Sequence, residues 1–267
     1  MPSMLRLAIA SVALGMVTLV LLPVHGAALA ARHPLRVRVP LWWHRAAGRI
    51  LRMRVSVEGA PVGGRPLLIV ANHVSWTDIV VLGSVMPVCF VAKAEVRDWP
   101  VFGWLARLQR TVFIDRNRRG ASGRQADEIA RRLSGDNDVM VLFAEGTTGD
   151  GTRLLPFKSS LVGAAQQALA SGEGAFIQPV AIAYTRLGGI EAGFASRLRL
   201  SWVGDLDLIP HLRDLLSGPP VDAEVMFGDP IPVGERFDRK AVTRAAEDDI
   251  RQRLRQRRRG RTGPSAS

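Results

Sequence analysis

Pro66-Leu67-Leu68-Ile69-Val70-Ala71-Asn72-His73-Val74-Ser75-Trp76-Thr77-Asp78 is the stretch from which the fold can be read. A short unbroken apolar run that stops at a polar pair reads as a buried strand. Apolar residues resume behind Asp78, so a helix starts near Ser75 to Asp78. The same alternation continues downstream. Val88 to Ala92, Thr111 to Ile114 and Asp138 to Ala144 read as strands. So do Ala175 to Ala183, Leu198 to Val203 and Val221 to Phe227. Pro179 removes a ladder donor from its strand, which predicts an edge position or a bulge there. Pro100 to Leu108, Gly123 to Leu133, Ser159 to Ala170 and Arg239 to Arg258 read as helices, the second with Ile129 and Leu133 four apart. Strands alternating with helices define an α/β domain with a mixed, largely parallel sheet flanked by helices. No internal repeat is present.

The chain has 267 residues, of which 47% are hydrophobic and 22% charged. That supports one domain with a real core plus additional segments. Its single cysteine, Cys89, excludes an internal disulfide framework and a Cys-rich metal site, and suits a reducing compartment. The formal net charge is +12, with seven arginines and no acid between Arg251 and Arg261. Such a run is either a solvated tail or a surface for anionic partners. There is no zinc-finger spacing and no aromatic RNA-binding motif, so a membrane surface fits better than nucleic acid. Near anionic headgroups each arginine contributes about 1 kcal/mol.

Leu5 to Ala30 is almost wholly apolar, and Leu7 to Val24 is long enough to reach across a hydrocarbon core. The rival reading is a secretory signal, with Arg6 ahead of it and Ala28-Leu29-Ala30 as a cleavage site. Seven arginines between Arg32 and Arg54 follow the run, against one before it, so the body stays on the cytoplasmic side. Trp42-Trp43 within this basic stretch suits the headgroup layer. The expected organisation is an apolar anchor over 1–35, a basic interfacial segment over 36–58, the α/β domain over 59–237 and an Arg-rich tail over 238–267. The expected location is the cytoplasmic face of the inner (plasma) membrane.

Two loops following strands carry candidate chemistry. In the first, Asp78 lies five residues after His73 and can fold back onto its ring. A carboxylate there fixes the tautomer and raises the basicity of the imidazole. The pair is then a general base for a hydroxyl, unless His73 only caps the helix. The second loop is Phe143-Ala144-Glu145-Gly146-Thr147-Thr148. Its N–H groups and hydroxyls suit an anionic group, or make a plain tight turn. Ser75 and Thr77 flank the base. Trp76 suits an acyl channel or the core, while His25, His33, His44 and His211 have no acidic partner at useful spacing. A serine hydrolase lacks its Gly-x-Ser-x-Gly elbow, a zinc protease its His-Glu-x-x-His, and a P-loop enzyme its Gly-Lys-Ser/Thr.

The order of blocks Asn72-His73…Asp78, Phe113-Ile114-Asp115-Arg116, Glu145-Gly146-Thr147 and Ile177-Gln178-Pro179-Val180 resembles the lysophosphatidic acid acyltransferase family. Val91-Ala92-Lys93-Ala94-Glu95 and Pro100-Val101-Phe102-Gly103 are similar to its segment between the first two blocks. The resemblance implies His73 as general base on a lysolipid hydroxyl, with Asp78 orienting it. Attack on a thioester, acyl-CoA or acyl-acyl-carrier-protein, needs no covalent acyl-enzyme, no cofactor and no metal. It implies that Arg116 binds phosphate, that Glu145, Gly146 and Thr147 shape the acceptor site, and that Lys93 is a further cationic contact or a surface lysine. Many members have arginine where this chain has Thr148; Arg153 lies five residues on. Leu155-Pro156-Phe157-Lys158-Ser159-Ser160 is similar to the branch that O-acylates lyso-ornithine lipid, whose acceptor has no phosphate. The leading expectation is conversion of 1-acyl-sn-glycerol-3-phosphate to phosphatidic acid, with lyso-ornithine lipid as the second acceptor. A basic membrane- or nucleic-acid-binding protein without catalysis is the alternative of another class.

Overall fold

A computed structural model describes residues 2–63, 66–99, 102–114, 138–160, 162–163, 175–203, 207–233 and 238–259. Two helices come first, α1 (Pro2–Ala30) and α2 (Leu35–Ile50). Strands β1 (Met53–Glu58) and β2 (Leu67–Ala71) follow, then α3 (Thr77–Val85), β3 (Cys89–Lys93) and a 3-10 turn over Ala94–Asp98. Next come α4 (Phe102–Leu108), β4 (Val112–Ile114), β5 (Val139–Phe143), β6 (Phe176–Leu187) and β7 (Ile190–Glu191). The chain continues through α5 (Phe194–Leu200), α6 (Leu208–Ser217), β8 (Val221–Phe227), β9 (Ile231–Pro232) and α7 (Arg239–Arg258).

The strands form one sheet in the order β1-β8-β6-β2-β5-β3-β4, with β7 and β9 also paired to β6. From β6 to β4 all neighbours are parallel, while β8 runs antiparallel to β6. The sheet is therefore mixed and largely parallel, and α1 is an apolar N-terminal helix. A parallel sheet needs cover on both faces, and the strands show it. On β2, Leu67, Ile69 and Ala71 join one core with Val80, Val81 and Leu82 of α3. Leu68 and Val70 join the other core with Ala246 and Ile250 of α7. Leu67 to Ala71 are all fully buried. Gly83 lets α3 approach α2, because a Cβ there would lie 2.4 Å from the His44 ring.

Several sequence expectations change here. Leu198–Val203 holds no strand, because the chain turns helical as α5 and ends it at Leu200. Pro179 is not on an edge. It sits in β6 between β2 and the break that separates β8 from β9, where Gly228 N–H donates to the Pro179 carbonyl at 2.8 Å. No strand stands opposite its missing N–H, which is why the proline is tolerated in an inner strand. The ladder irregularity falls instead between Tyr184 and Arg186. The basic stretch before residue 58 folds as α2 and as β1, which pairs in parallel with β8. The helix read over 123–133 and most of the one over 159–170 lie outside the described residues.

Arg239 to Arg258 is helical, as its composition suggested, and it is part of the domain. Asp238 caps it by accepting from the N–H groups of Lys240 and Ala241, and Thr243, Ala246 and Ile250 are buried. Three of its arginines pair with acids: Arg251 with Glu247, Arg253 with Asp249 and Arg257 with Glu224. Ile250→Ala should lower unfolding stability by about 2–5 kcal/mol through the cavity it leaves, read as a drop in thermal midpoint. An exposed arginine such as Arg255, replaced by alanine, should stay within about 0.5 kcal/mol of the parent.

Candidate active site

The site lies at the C-terminal edge of the parallel strands. Ala71 on β2 and Phe143 on β5 are in register, so the loops that follow emerge side by side. Asn72 extends the ladder beyond β2: its amide donates to the Ile182 carbonyl at 3.0 Å and accepts from the Ile182 N–H at 2.8 Å. This holds the next residue, His73, at the sheet edge. The His73 backbone N–H donates to Glu145 at 2.6 Å, and its carbonyl accepts from the Gly149 N–H at 2.8 Å. The two motif loops are thus sewn together through His73. Gly146 turns the second loop with a φ of 70°, a conformation that favours glycine.

The His73 Nδ1 lies 2.8 Å from the Asp78 Oδ2. That oxygen also accepts from the Val74 and Ser75 N–H groups at 2.7 and 3.0 Å. The other oxygen accepts from the Tyr184 hydroxyl at 2.6 Å, and Tyr184 in turn meets the Thr77 hydroxyl at 2.5 Å. Asp78 has no accessible surface, whereas the His73 side chain keeps 17% of its own. The ring also stacks on Phe143, with centroids 4.0 Å apart. With the carboxylate accepting at Nδ1, the proton belongs on Nδ1 and the lone pair on Nε2. Such a base can take a proton from a hydroxyl brought to the ring.

Tyr184 is the residue that motif reading missed. It is the only tyrosine in the chain and lies one residue beyond the strand read as Ala175–Ala183, which in fact runs to Leu187. Burial pushes its hydroxyl well above the ordinary value and the Asp78 charge adds to this, so it stays protonated and donates. His211, which has no acidic partner at useful spacing in the sequence, accepts the Trp76 indole N–H at 3.0 Å and orients that half-buried ring inside the first motif.

The other expected site residues are placed unevenly. Glu145 is buried beside His73, with its second oxygen accepting the Leu155 N–H at 2.8 Å. Thr147 is exposed, and the Thr148 hydroxyl donates to the Trp202 carbonyl. Lys93 is exposed at the end of β3, on the same sheet edge but outside the cavity that His73 lines. Arg116 lies outside the described residues. That cavity also receives Arg153, as well as Arg186 from β6, Arg197 from α5, and Arg257 and Arg258 from α7. No group of metal-ligating side chains occurs among the described residues.

A family model described as Acyltransferase matches residues 52–183. A lyso-ornithine lipid O-acyltransferase of Brucella abortus is 46% identical over 264 residues, covering 98% of each chain. A 1-acyl-sn-glycerol-3-phosphate acyltransferase of Neisseria gonorrhoeae is 32% identical over 207 residues, covering 76% of each. The crystal structure of the 1-acyl-sn-glycerophosphate acyltransferase of Thermotoga maritima has the same fold, with a TM-score of 0.65 at 21% identity. It covers 98% of this chain and 96% of that one. The chain belongs to the acyltransferase family, in the group of lysolipid acyltransferases. It is an enzyme that takes an acyl donor and a lysolipid acceptor, so a basic binding protein without catalysis is no longer an alternative.

Burial pushes the Glu145 carboxyl from 4.5 up to about 7, against two backbone N–H donors that favour the charged form. A raised carboxyl pKa means the fold prefers the protonated group. Its contribution is fully present below 4.5 and is lost as pH rises through about 7. The loss amounts to roughly 3 kcal/mol across that window. Glu145→Gln should therefore be less pH-dependent than the parent between pH 4.5 and 7 in denaturation midpoints. Parallel curves for the two proteins would contradict the assignment.

Proposed function

We propose that this enzyme transfers an acyl group from a thioester donor to the hydroxyl of lyso-ornithine lipid. The observation that carries the choice of acceptor is the whole-length 46% identity to a lyso-ornithine lipid O-acyltransferase. The loop after Glu145 supports it: where the family that the sequence resembles often has an arginine, this chain has Thr148, whose hydroxyl is engaged by the Trp202 backbone. The order of acceptors set out from the sequence is thereby reversed, with 1-acyl-sn-glycerol-3-phosphate second.

In this reading the His73 Nε2 removes the acceptor's hydroxyl proton while Asp78 steadies the imidazolium that forms. The oxygen attacks the thioester carbonyl, the tetrahedral centre collapses, and the thiol of acyl-CoA or acyl-acyl-carrier-protein leaves with a proton returned from His73. Glu145 holds the His73 backbone and ties it to the second loop. Gly146 and Thr147 shape the acceptor's approach, Lys93 supplies a cationic contact at the same edge, and Arg116 serves as a further cationic contact to the acceptor.

α1 supports a location at the membrane. It is the described helix long and apolar enough to cross a membrane. Yet it lies against the body along its length. Leu7, Ala10 and Leu14 pack on the core, the Trp43 indole donates to Thr18 at 2.9 Å, and His25 meets the Leu108 carbonyl at 2.8 Å. Leu5, Ile9, Val12, Met16, Leu19 and Val20 stay exposed at helical spacing on the outer side. A 29-residue helix is about 43 Å long, so perpendicular insertion would drag the packed body into the hydrocarbon. Embedding α1 by its outer stripe keeps the site at the cytoplasmic membrane surface, where lysolipid and product reside.

Two measurements test the reading. Asp78→Asn preserves shape but removes the charge that sets the tautomer, and kcat should fall by at least about 100-fold with KM little changed. Unaltered kcat would sink the His73–Asp78 mechanism. In a paired assay on one preparation, lyso-ornithine lipid should be acylated at least about 10-fold faster than lysophosphatidic acid. The opposite ratio would overturn the acceptor.

A further inference from the structure

The cavity that His73 lines carries more positive charge than the reaction itself calls for. Gly151 lies on its wall. A Cβ built on Gly151 would lie 3.2 Å from Val74, next to the base, and 3.7 Å from the Arg197 Cβ. Its carbonyl accepts from Arg258 at 2.9 Å, and the Thr152 carbonyl accepts from the same guanidinium at 2.5 Å. Arg258 is thereby the one arginine of the last turn of α7 that reaches into this loop, while Arg257 beside it is paired with Glu224.

Arg197 and Arg258 are close enough to repel. The Arg197 charge contributes to holding the Arg258 guanidinium below its usual range, although burial is the larger cause. Among the described residues, the Arg197 guanidinium has no hydrogen-bond or carboxylate partner. The neighbouring acids are otherwise engaged or more distant. Asp150 is held by the Thr152 hydroxyl and N–H and by the Arg153 N–H, with its charge toward Arg153 and Arg258. Glu191 stands opposite Arg186 in the β6–β7 hairpin. Two guanidiniums brought together without a shared acid are a cost to the fold unless an anion relieves it. Arg258 uses two of its five donors on the loop, so donors remain for a ligand.

We propose that Arg197 and Arg258, with Arg153 at the rim, form an anion subsite that binds the α-carboxylate of the acceptor's amino-acid headgroup. An amino acid acylated on its α-nitrogen keeps that carboxylate and its side-chain ammonium. The arginine pair takes the first through a charge-assisted fork, and Glu191, exposed on the same cavity wall, faces the second. This proposal rests on the lyso-ornithine reading and sharpens it. The enzyme selects its acceptor with arginines from α5 and α7 that lie outside the two motif loops, so a threonine at position 148 costs it nothing.

The test uses full-length enzyme in detergent–lipid micelles with two acceptors, lyso-ornithine lipid and its carboxyl methyl ester. The parent should acylate the ester about 10- to 100-fold less efficiently in kcat/KM, the loss expected for a charge-assisted pair. Arg197→Gln, which removes no guanidinium hydrogen bond among the described residues, should raise KM for the native acceptor by a similar factor with kcat little changed. It should also no longer distinguish acid from ester, and Arg197→Lys should restore part of the distinction. Arg255→Gln, on the exposed side of α7, should behave as the parent. If Arg197→Gln still discriminates as strongly as the parent, the subsite is wrong while the acceptor stands. If KM rises for the acyl donor instead, the arginines serve the donor's phosphate and the proposal is overturned. If the parent acylates lysophosphatidic acid but not lyso-ornithine lipid, the acceptor reading fails first and the subsite with it.

Discussion

The Asp78 carboxylate, with no accessible surface, organises this enzyme. An ionised carboxyl in that position is tolerated only when its lone pairs are occupied, and here His73, Val74, Ser75 and Tyr184 all donate to it. Three of those donors belong to the loop between β2 and α3, so the charge also shapes the loop. The fourth arrives from β6, the neighbouring strand. One side chain thus joins the start of a helix, the edge of the sheet and the ring of the base. Removing the side chain would release the loop as well as the proton chemistry.

Around that centre the parallel sheet acts as a jig. Registered strand ends at Ala71 and Phe143 bring the two motif loops together, and Asn72 continues the ladder where the backbone has left it. Phe143, the last residue of β5, is both core and platform, since it packs among buried apolar residues and stacks under His73. Precision at the base is therefore inherited from the most tightly packed part of the molecule. The second face is closed by α7, whose buried Ala246 and Ile250 bring a basic helix into the fold and its last turn to the rim of the cavity.

Much of the α/β architecture was legible because buried parallel strands read as unbroken apolar runs, and Leu67–Ala71 and Val139–Phe143 are such runs. Leu198–Val203 misled for the same reason: a short apolar run does not distinguish a strand from a helical turn. Pro179 misled because an inner strand can carry proline wherever its neighbour is broken, and a break between β8 and β9 is a property of the sheet, not of β6. Tyr184 was hidden by its distance from the motif, 106 residues from Asp78.

The sequence by itself determined the chemistry available: a histidine five residues before an aspartate, a Glu-Gly-Thr loop and a long apolar N-terminus, each following from local spacing and composition. Only the tertiary structure decided what those groups meet. Tyr184 completes the shell of Asp78, α1 lies along the body instead of projecting from it, and arginines from α5 and α7 share a cavity with His73. The reason is physical. Spacing along the chain governs neighbours within one strand, turn or helix, whereas charge neutralisation and burial are satisfied between elements, and those partners exist only once the sheet has closed.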